Sequence, residues 1–549
     1  MNNARAKTPA FLAAFAVTLL LGACSPAEPE RETTPAQQEK RPQTTQPIAE
    51  LRNGPIAAQP ARAESDAVAP RGIMAEQAAG LRSRAADHFA PAPGLRLPDR
   101  PVDRENYAHF DDNPVKRVAE QPVSTFSIDV DTGSYSNIRR MLREGRLPPG
   151  DAVRVEELIN YFSYDYPVPA SPDQPDGAPF SVSVEQAVTP WNANTRLLQI
   201  GIQGYRPDPA TIPASNLVFL LDISGSMNSE DKLPLLKNSL KMLTRELDAD
   251  DRIAIVVYAG ATGVVLESTP GDRHAKITSA LDRLTAGGAT NGAAGIELAY
   301  AQAEQGFIEG GVNRVILATD GDFNVGTVDF EALKDLAERK RETGIAITTL
   351  GFGGGNYNDH LMEQLADAGN GNYAYIDTLS EARKVLVDEL NATLMTIAKD
   401  VKIQLEFNPT VVAEYRLIGY ENRVLEREDF NNDAVDAGDI GAGHTVTALY
   451  EVALAGAGGE RVDPLRYGDQ SSSTTLTGES RELGFLKLRY KAPDSETSAL
   501  IEQPIESTGK RRAEESISDN LAFAASVAAF GQHLRGGKYL EGFGIGDIH

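Results

Sequence analysis

Cysteine is almost missing from this chain: Cys24 is the only one in 549 residues. One thiol excludes a disulfide framework, so the folded part must rest on its apolar core. The 7 histidines show no HExxH or other metal-ligand spacing, which removes the common zinc-hydrolase signature. No Gly-x-Ser-x-Gly elbow and no phosphate-binding Gly-Lys-Ser/Thr loop occurs. Positive charge is short as well. The formal net charge is −25, and the tight basic clusters are Arg339-Lys340-Arg341 and Lys510-Arg511-Arg512. The first has acidic neighbours, Glu338 and Glu342, and neither gives the broad basic footprint that nucleic acid requires. No nucleic-acid partner is expected. The single tryptophan, Trp191, falls at a turn between two strand patterns, where a core or hairpin plug is expected.

The apolar run at 11–21 is too short to span a bilayer and has the length of a signal h-region, with Arg5 and Lys7 ahead of it. It ends Leu21-Gly22-Ala23-Cys24, which resembles the bacterial lipobox. That resemblance implies cleavage of a signal peptide, 1–23, and lipid attachment to Cys24. Ser25 stands where an inner-membrane retention signal would carry Asp. The expectation is therefore a lipid-anchored protein of the cell envelope, at the outer membrane in a Gram-negative host, facing the periplasm or the surface. Residues 24–105 are rich in Pro, Ala, Gln, Glu and Arg without apolar periodicity. Such a segment buries too little to offset its ordering entropy and reads as a lipidated, disordered tether. The remainder is long enough for two or three domains.

The most informative stretch is Leu217-Val-Phe-Leu-Leu-Asp222-Ile-Ser224-Gly-Ser226. A continuous apolar run reads as a buried strand. It delivers one carboxylate and two hydroxyls to the strand's carboxyl end, where open α/β sheets bind ligands. Three hard oxygen donors suit a small hard cation such as Mg²⁺, with Mn²⁺ or Ca²⁺ as alternatives. Downstream come the Gly-rich loop Gly287-Gly-Ala-Thr290-Asn-Gly292 and a second buried strand, 314–319, ending in Asp320-Gly321. Strands are expected at 217–222, 252–258, 263–267, 314–319, 345–351 and 373–376, and helices at 233–247, 275–284, 293–305, 330–342 and 382–395. Gly260-Ala-Thr-Gly263 joins two strands as a hairpin; the other strands should run parallel. Asp222, Ser224, Ser226, Thr290 and Asp320 together resemble the metal-ion-dependent adhesion site of the von Willebrand factor type A (VWA) domain, written Asp-x-Ser-x-Ser, then Thr, then Asp. The resemblance implies a doubly wound, Rossmann-like α/β domain whose metal is completed by an Asp or Glu from a partner protein. It implies recognition and not catalysis. The site groups are expected at the solvent edge of the sheet.

The flanks differ. Segments 180–188 and 196–203 alternate apolar and polar residues as half-buried strands do. A lone hairpin cannot bury such a face. Its mates are expected at 401–407, 446–452 and 484–490. The reading is a mostly β, sandwich-like domain with the VWA-like domain inserted between its second and third strands. An amphipathic helix is expected at 151–162, and a terminal one from Ser518 with Leu521, Ala524, Val527, Phe530 and Leu534 on one face. The segment from Phe126 to Tyr135 is similar to the amino-terminal companion of bacterial VWA lipoproteins, and 419–423 with 436–445 to their carboxy-terminal domain of unknown function. The boundaries are then 106–212 for the companion with its hairpin, 213–397 for the VWA domain and 398–549 for the β-rich domain ending in a helix. Members of that family are expected to continue past His549.

Two enzymatic or metal motifs fail on inspection. Asp131-Thr-Gly-Ser134 has the form of an aspartic-protease signature, but that chemistry needs two carboxylates sharing a proton and no second copy exists. Only a dyad across a dimer, built on Asp131, would revive it. The stretch 429–436 lacks the Gly and Glu of a calcium loop, carrying Ala434 and Ile440 instead. Besides the protease, the alternative function is an envelope protein whose metal only stabilises the fold.

Overall fold

The computed structural model describes residues 104–169, 177–208, 211–290, 292–321, 330–390, 394–466, 482–507 and 517–548. The expected signal peptide, Cys24 and the expected tether up to residue 103 lie outside the described residues. In chain order the elements are β1 (Lys116–Arg117), β2 (Val123–Ser127), α1 (Gly133–Arg143), α2 (Val155–Asn160), β3 (Phe180–Thr189) and β4 (Asn192–Gly204). The central part gives β5 (Ser215–Asp222), α3 (Leu233–Leu243), β6 (Arg252–Tyr258), β7 (Thr262–Pro270), α4 (His274–Asp282), α5 (Gly292–Gln305) and β8 (Val312–Thr319). It continues with α6 (Phe330–Arg341), β9 (Ile345–Phe352), α7 (Asp359–Ala368), β10 (Tyr373–Ile376) and α8 (Leu379–Arg383). Then follow β11 (Thr396–Phe407), β12 (Val412–Ile418), β13 (Ile440–Gly441), β14 (Thr445–Leu454), β15 (Glu482–Lys491), β16 (Ser498–Glu506) and α9 (Asp519–Leu534).

The central sheet has the order β10-β9-β8-β5-β6-β7. All its pairs are parallel except β6 with β7, the tight hairpin. Strand β5 is buried along its whole length because both its faces are covered. Leu217, Phe219 and Leu221 pack with α3, α4 and α8, while Val218 and Leu220 pack with α5, α6 and α7. Period-2 alternation into two cores is why the strand reads as an unbroken apolar run.

The flanks form two further sheets, β1-β12-β14-β4-β3 and β13-β11-β15-β16, with β2 paired to β11. Leu198, Ile200 and Ile202 of β4 share one core with Ile403, Leu405 and Phe407 of β11 and with Leu486 and Leu488 of β15. Strand β4, before the central domain, pairs antiparallel with β14, after it, from Thr445↔Gln203 to Val452↔Arg196. The α/β domain is therefore inserted in the sandwich. It enters after the fourth strand and not the second, since the short β1 and β2 also precede it; neither is long enough to show a period.

The polar face of β4 departs from the half-buried expectation. Gln199 and Gln203 are buried, and Gln199 donates to the Tyr166 hydroxyl at 3.0 Å. The back of this sheet is closed by a third core in which α1, α2 and α9 meet Trp191, Leu197 and Leu449. Trp191 plugs that layer, its indole N–H donating to Glu451 at 3.2 Å. The helix expected at 151–162 is broken: a 3₁₀ turn at Gly150–Ala152 precedes α2. Arg154 between them is extended, so that its buried guanidinium reaches Asp359 at 2.5 Å. The helix expected at 382–395 begins three residues earlier, and Leu390 and Leu394 within that span are helical. It starts at Leu379 on the Thr378 cap, widens into a π turn over Lys384–Asp388, and Thr396 already opens β11. Residues 104–105, assigned above to the tether, are docked: the Arg104 N–H donates to the Gly355 carbonyl at 2.9 Å.

Candidate metal centre

Asp222 ends β5 at the middle of the sheet, between β8 and β6. It lies at the carboxyl edge but not in solvent. Asp222 and Asp320 are both 0 % exposed, which corrects the solvent-edge expectation. One oxygen of Asp222 accepts the Ser224 backbone N–H at 2.8 Å. The other accepts the hydroxyls of Thr319 at 2.9 Å and Tyr258 at 3.2 Å. Burial is the main influence that pushes the Asp222 carboxyl above its ordinary range, and Asp320 adds to it as a like charge.

After Asp222 the chain turns into the 3₁₀ segment Gly225–Asn228, which turns both serines the same way. Their hydroxyl oxygens stand 2.9 Å apart. The loop of Thr290 is fastened to this turn by two backbone bonds, Gly287 N–H to Ile223 at 2.8 Å and Gly225 N–H to Gly288 at 3.1 Å. Gly288 has φ +91° and a side chain there would press on the backbone of Gly260. The β6–β7 hairpin thus closes on the same loop. Thr290 itself is half-buried. Asp320 follows β8 and accepts the Lys232 ammonium at 2.9 Å. Three junctions therefore bring the five residues named from the sequence to one edge. Sequence reasoning misses Thr319 and Tyr258, which hold Asp222, and Lys232 with Asn356, its second acceptor at 3.3 Å. Thr319 is signalled by its place beside Asp320; no spacing marks the other three.

The donor set fits a hard divalent cation. The two serine hydroxyls share a hydrogen bond at 2.9 Å, a separation that also matches the edge of an octahedron with bonds of about 2.05 Å. The two buried carboxylates carry opposite charge to such an ion, and Asp222 is otherwise held by neutral donors alone.

Asp131 is placed elsewhere. It is buried, accepts the Tyr373 N–H at 2.7 Å and faces Arg423 at 3.4 Å. Its carboxylate clamps the companion segment to β10 and to the C-terminal domain.

The von Willebrand factor type A domain model matches residues 216–389, a von Willebrand factor model matches 101–199, and the model described as uncharacterized protein YfbK, C-terminal, matches 392–549. Over 437 residues the chain is 50% identical to the uncharacterized protein YfbK of Escherichia coli (strain K12), spanning 79% of this chain and 75% of that protein. The chain belongs to the YfbK family. A second similar protein, uncharacterized protein sll0103 of Synechocystis sp. (strain ATCC 27184 / PCC 6803 / Kazusa), is 31% identical over 187 residues, 34% of this chain and 43% of that one. Among solved structures, the von Willebrand factor type A protein from Catenulispora acidiphila matches with a TM-score of 0.38 and 17% identity, over 66% of this chain and 80% of that one. For this YfbK-family chain the VWA domain indicates a protein-interaction or adhesion role.

Proposed function

We propose that this protein is an envelope lipoprotein, anchored through Cys24, that captures a partner protein by an Asp or Glu side chain at a Mg²⁺ site formed by Asp222, Ser224, Ser226, Thr290 and Asp320. The observation that supports it is the pair of serine hydroxyls 2.9 Å apart beside the buried Asp222. Ser224 and Ser226 present neutral oxygens, and Thr290 stands on a loop tied to theirs. Asp222 and Asp320 offer the negative charge, directly or through held waters. A divalent ion bound there supplies an open coordination position to an incoming carboxylate. Neutral serine donors leave that position electrophilic, which is what recognition of an acidic side chain needs.

The test is capture from envelope membranes by the full chain, with Mg²⁺ and with EDTA. Asp222→Asn together with Ser224→Ala should abolish the Mg²⁺-dependent capture while the double variant melts within a few degrees of wild type in EDTA. Asn retains one acceptor, for Thr319 and Tyr258, and gives up only the bond from the Ser224 N–H. Undiminished, Mg²⁺-dependent capture by the double variant would remove the adhesion-site reading. The anchor is tested separately: Cys24→Ala should leave the precursor uncleaved or the protein free of membranes. Palmitate labelling that persists in that variant would count against lipidation.

A further inference from the structure

We infer that Lys232 is a resident cation of this site, one that weakens the bare metal and leaves the metal-loaded site net positive for an incoming carboxylate. The inference rests on the metal reading above. Lys232 precedes α3, and its ammonium lies 2.9 Å from Asp320 and 3.3 Å from the Asn356 side-chain oxygen. The contact is built in and is not a surface pairing, since the side chains of Lys232 and Asp320 are 8% and 0% exposed. The path of the lysine stem is cut for it: Gly353 has φ +66°, and a Cβ there would come within 2.3 Å of the Lys232 Cε. A side chain at 353 and the lysine in this position are mutually exclusive.

The charge arithmetic gives the consequence. Asp222 and Asp320 contribute two negative charges and Lys232 one positive. A divalent ion then brings the site to net +1, where without the lysine it would be neutral. Inside a buried site, a fixed ammonium close to the same carboxylate opposes a second cation strongly. It also holds Asp320 in place when no metal is bound, so the carboxylates do not repel each other into disorder. The bare ion is therefore held loosely, and a carboxylate arriving from a partner is drawn by the residual charge. Metal and partner would then bind best together, a coupling reciprocal by linkage.

Mn²⁺ titration of the full chain, read by calorimetry and by the metal-induced rise in melting temperature, tests this. Lys232→Met and Lys232→Gln should each bind Mn²⁺ at least tenfold more tightly than wild type, a modest share of the Coulomb interaction expected at such a distance. Both should melt lower than wild type in EDTA and gain more from Mn²⁺. Lys232→Arg, which retains the charge, should stay within about threefold of wild type by the same charge argument. A lysine that merely oriented Asp320 would give the opposite sign, with weaker Mn²⁺ binding in both neutral variants. Equal or weaker binding there, while wild type binds and Asp222→Asn/Ser224→Ala does not, would overturn the role of Lys232 and spare the metal site. If neither wild type nor the neutral variants bind Mn²⁺, both readings fall.

Discussion

Between the inserted domain and its flanks lies a group of buried charges in which acids outnumber bases. Arg423 faces Asp129, Asp131, Glu363 and Asp367, and Arg154 faces Asp359, Glu157 and Glu363. Burial, with Glu421 and Asp129 nearby, pushes Glu156 up to about 8. Burial likewise raises Glu363, to about 7, against the pull of Arg154 and Arg423. A carboxyl raised in the folded state contributes stability that is complete below its unfolded value and is lost as pH rises through the folded one. The unfolding free energy from urea titration should thus fall between pH 6.5 and 8.5, by about 2 kcal/mol for a group such as Glu156. His444, which burial pushes down to about 4, acts mainly below this window, between that value and its unfolded one. Glu156→Gln should flatten the slope; a stability that climbs over the same interval would contradict the assignment. Arg154→Met strands its carboxylates and should cost roughly 3–5 kcal/mol. Single residues were legible where their spacing carries chemistry, as for Asp222, Ser224, Ser226, Thr290 and Asp320. Lys232 and Tyr258 were not, because only the folded chain brings them to those positions.

At the level of elements, the continuous apolar runs of β5 and β8 announce themselves, and so does α9 through Ser518, which caps it by accepting the Leu521 N–H at 3.1 Å. Ser518→Ala should cost about 1 kcal/mol, measurable as a shift in the urea midpoint. Helix α1 goes unread because it begins inside the Asp-Thr-Gly-Ser segment, whose polar residues look like a turn. Helix α8 starts three residues ahead of the expectation because Thr378 caps it, accepting the Glu381 N–H at 3.2 Å, before the apolar residues begin. The turn from α7 to β10 depends on Gly371, where a Cβ would lie 1.6 Å from the Ile347 carbonyl oxygen. Gly371→Ala should therefore destabilise the sheet by more than about 2 kcal/mol. A melting temperature within a degree of wild type would show that the turn yields.

For the whole molecule, insertion was legible from an unpaid surface: the β3–β4 hairpin has an apolar face with no partner near it in sequence. What sequence could not show is how firmly the inserted domain is fastened. The Asp131 bond to the Tyr373 N–H, the Arg154–Asp359 pair and the Arg423–Asp367 pair at 2.7 Å all cross between it and its flanks. Calorimetry should accordingly show one unfolding transition for wild type and two for Arg423→Met; two transitions in wild type would mean that the charges do not couple the parts. The pairing of Gln203 with Thr445 also sets a clock. In a chain that emerges amino end first, from the ribosome or across a membrane, the hairpin is exposed before β14 arrives. During that interval its apolar face needs a holder, and the inserted domain, complete in its own sheet, has time to fold first.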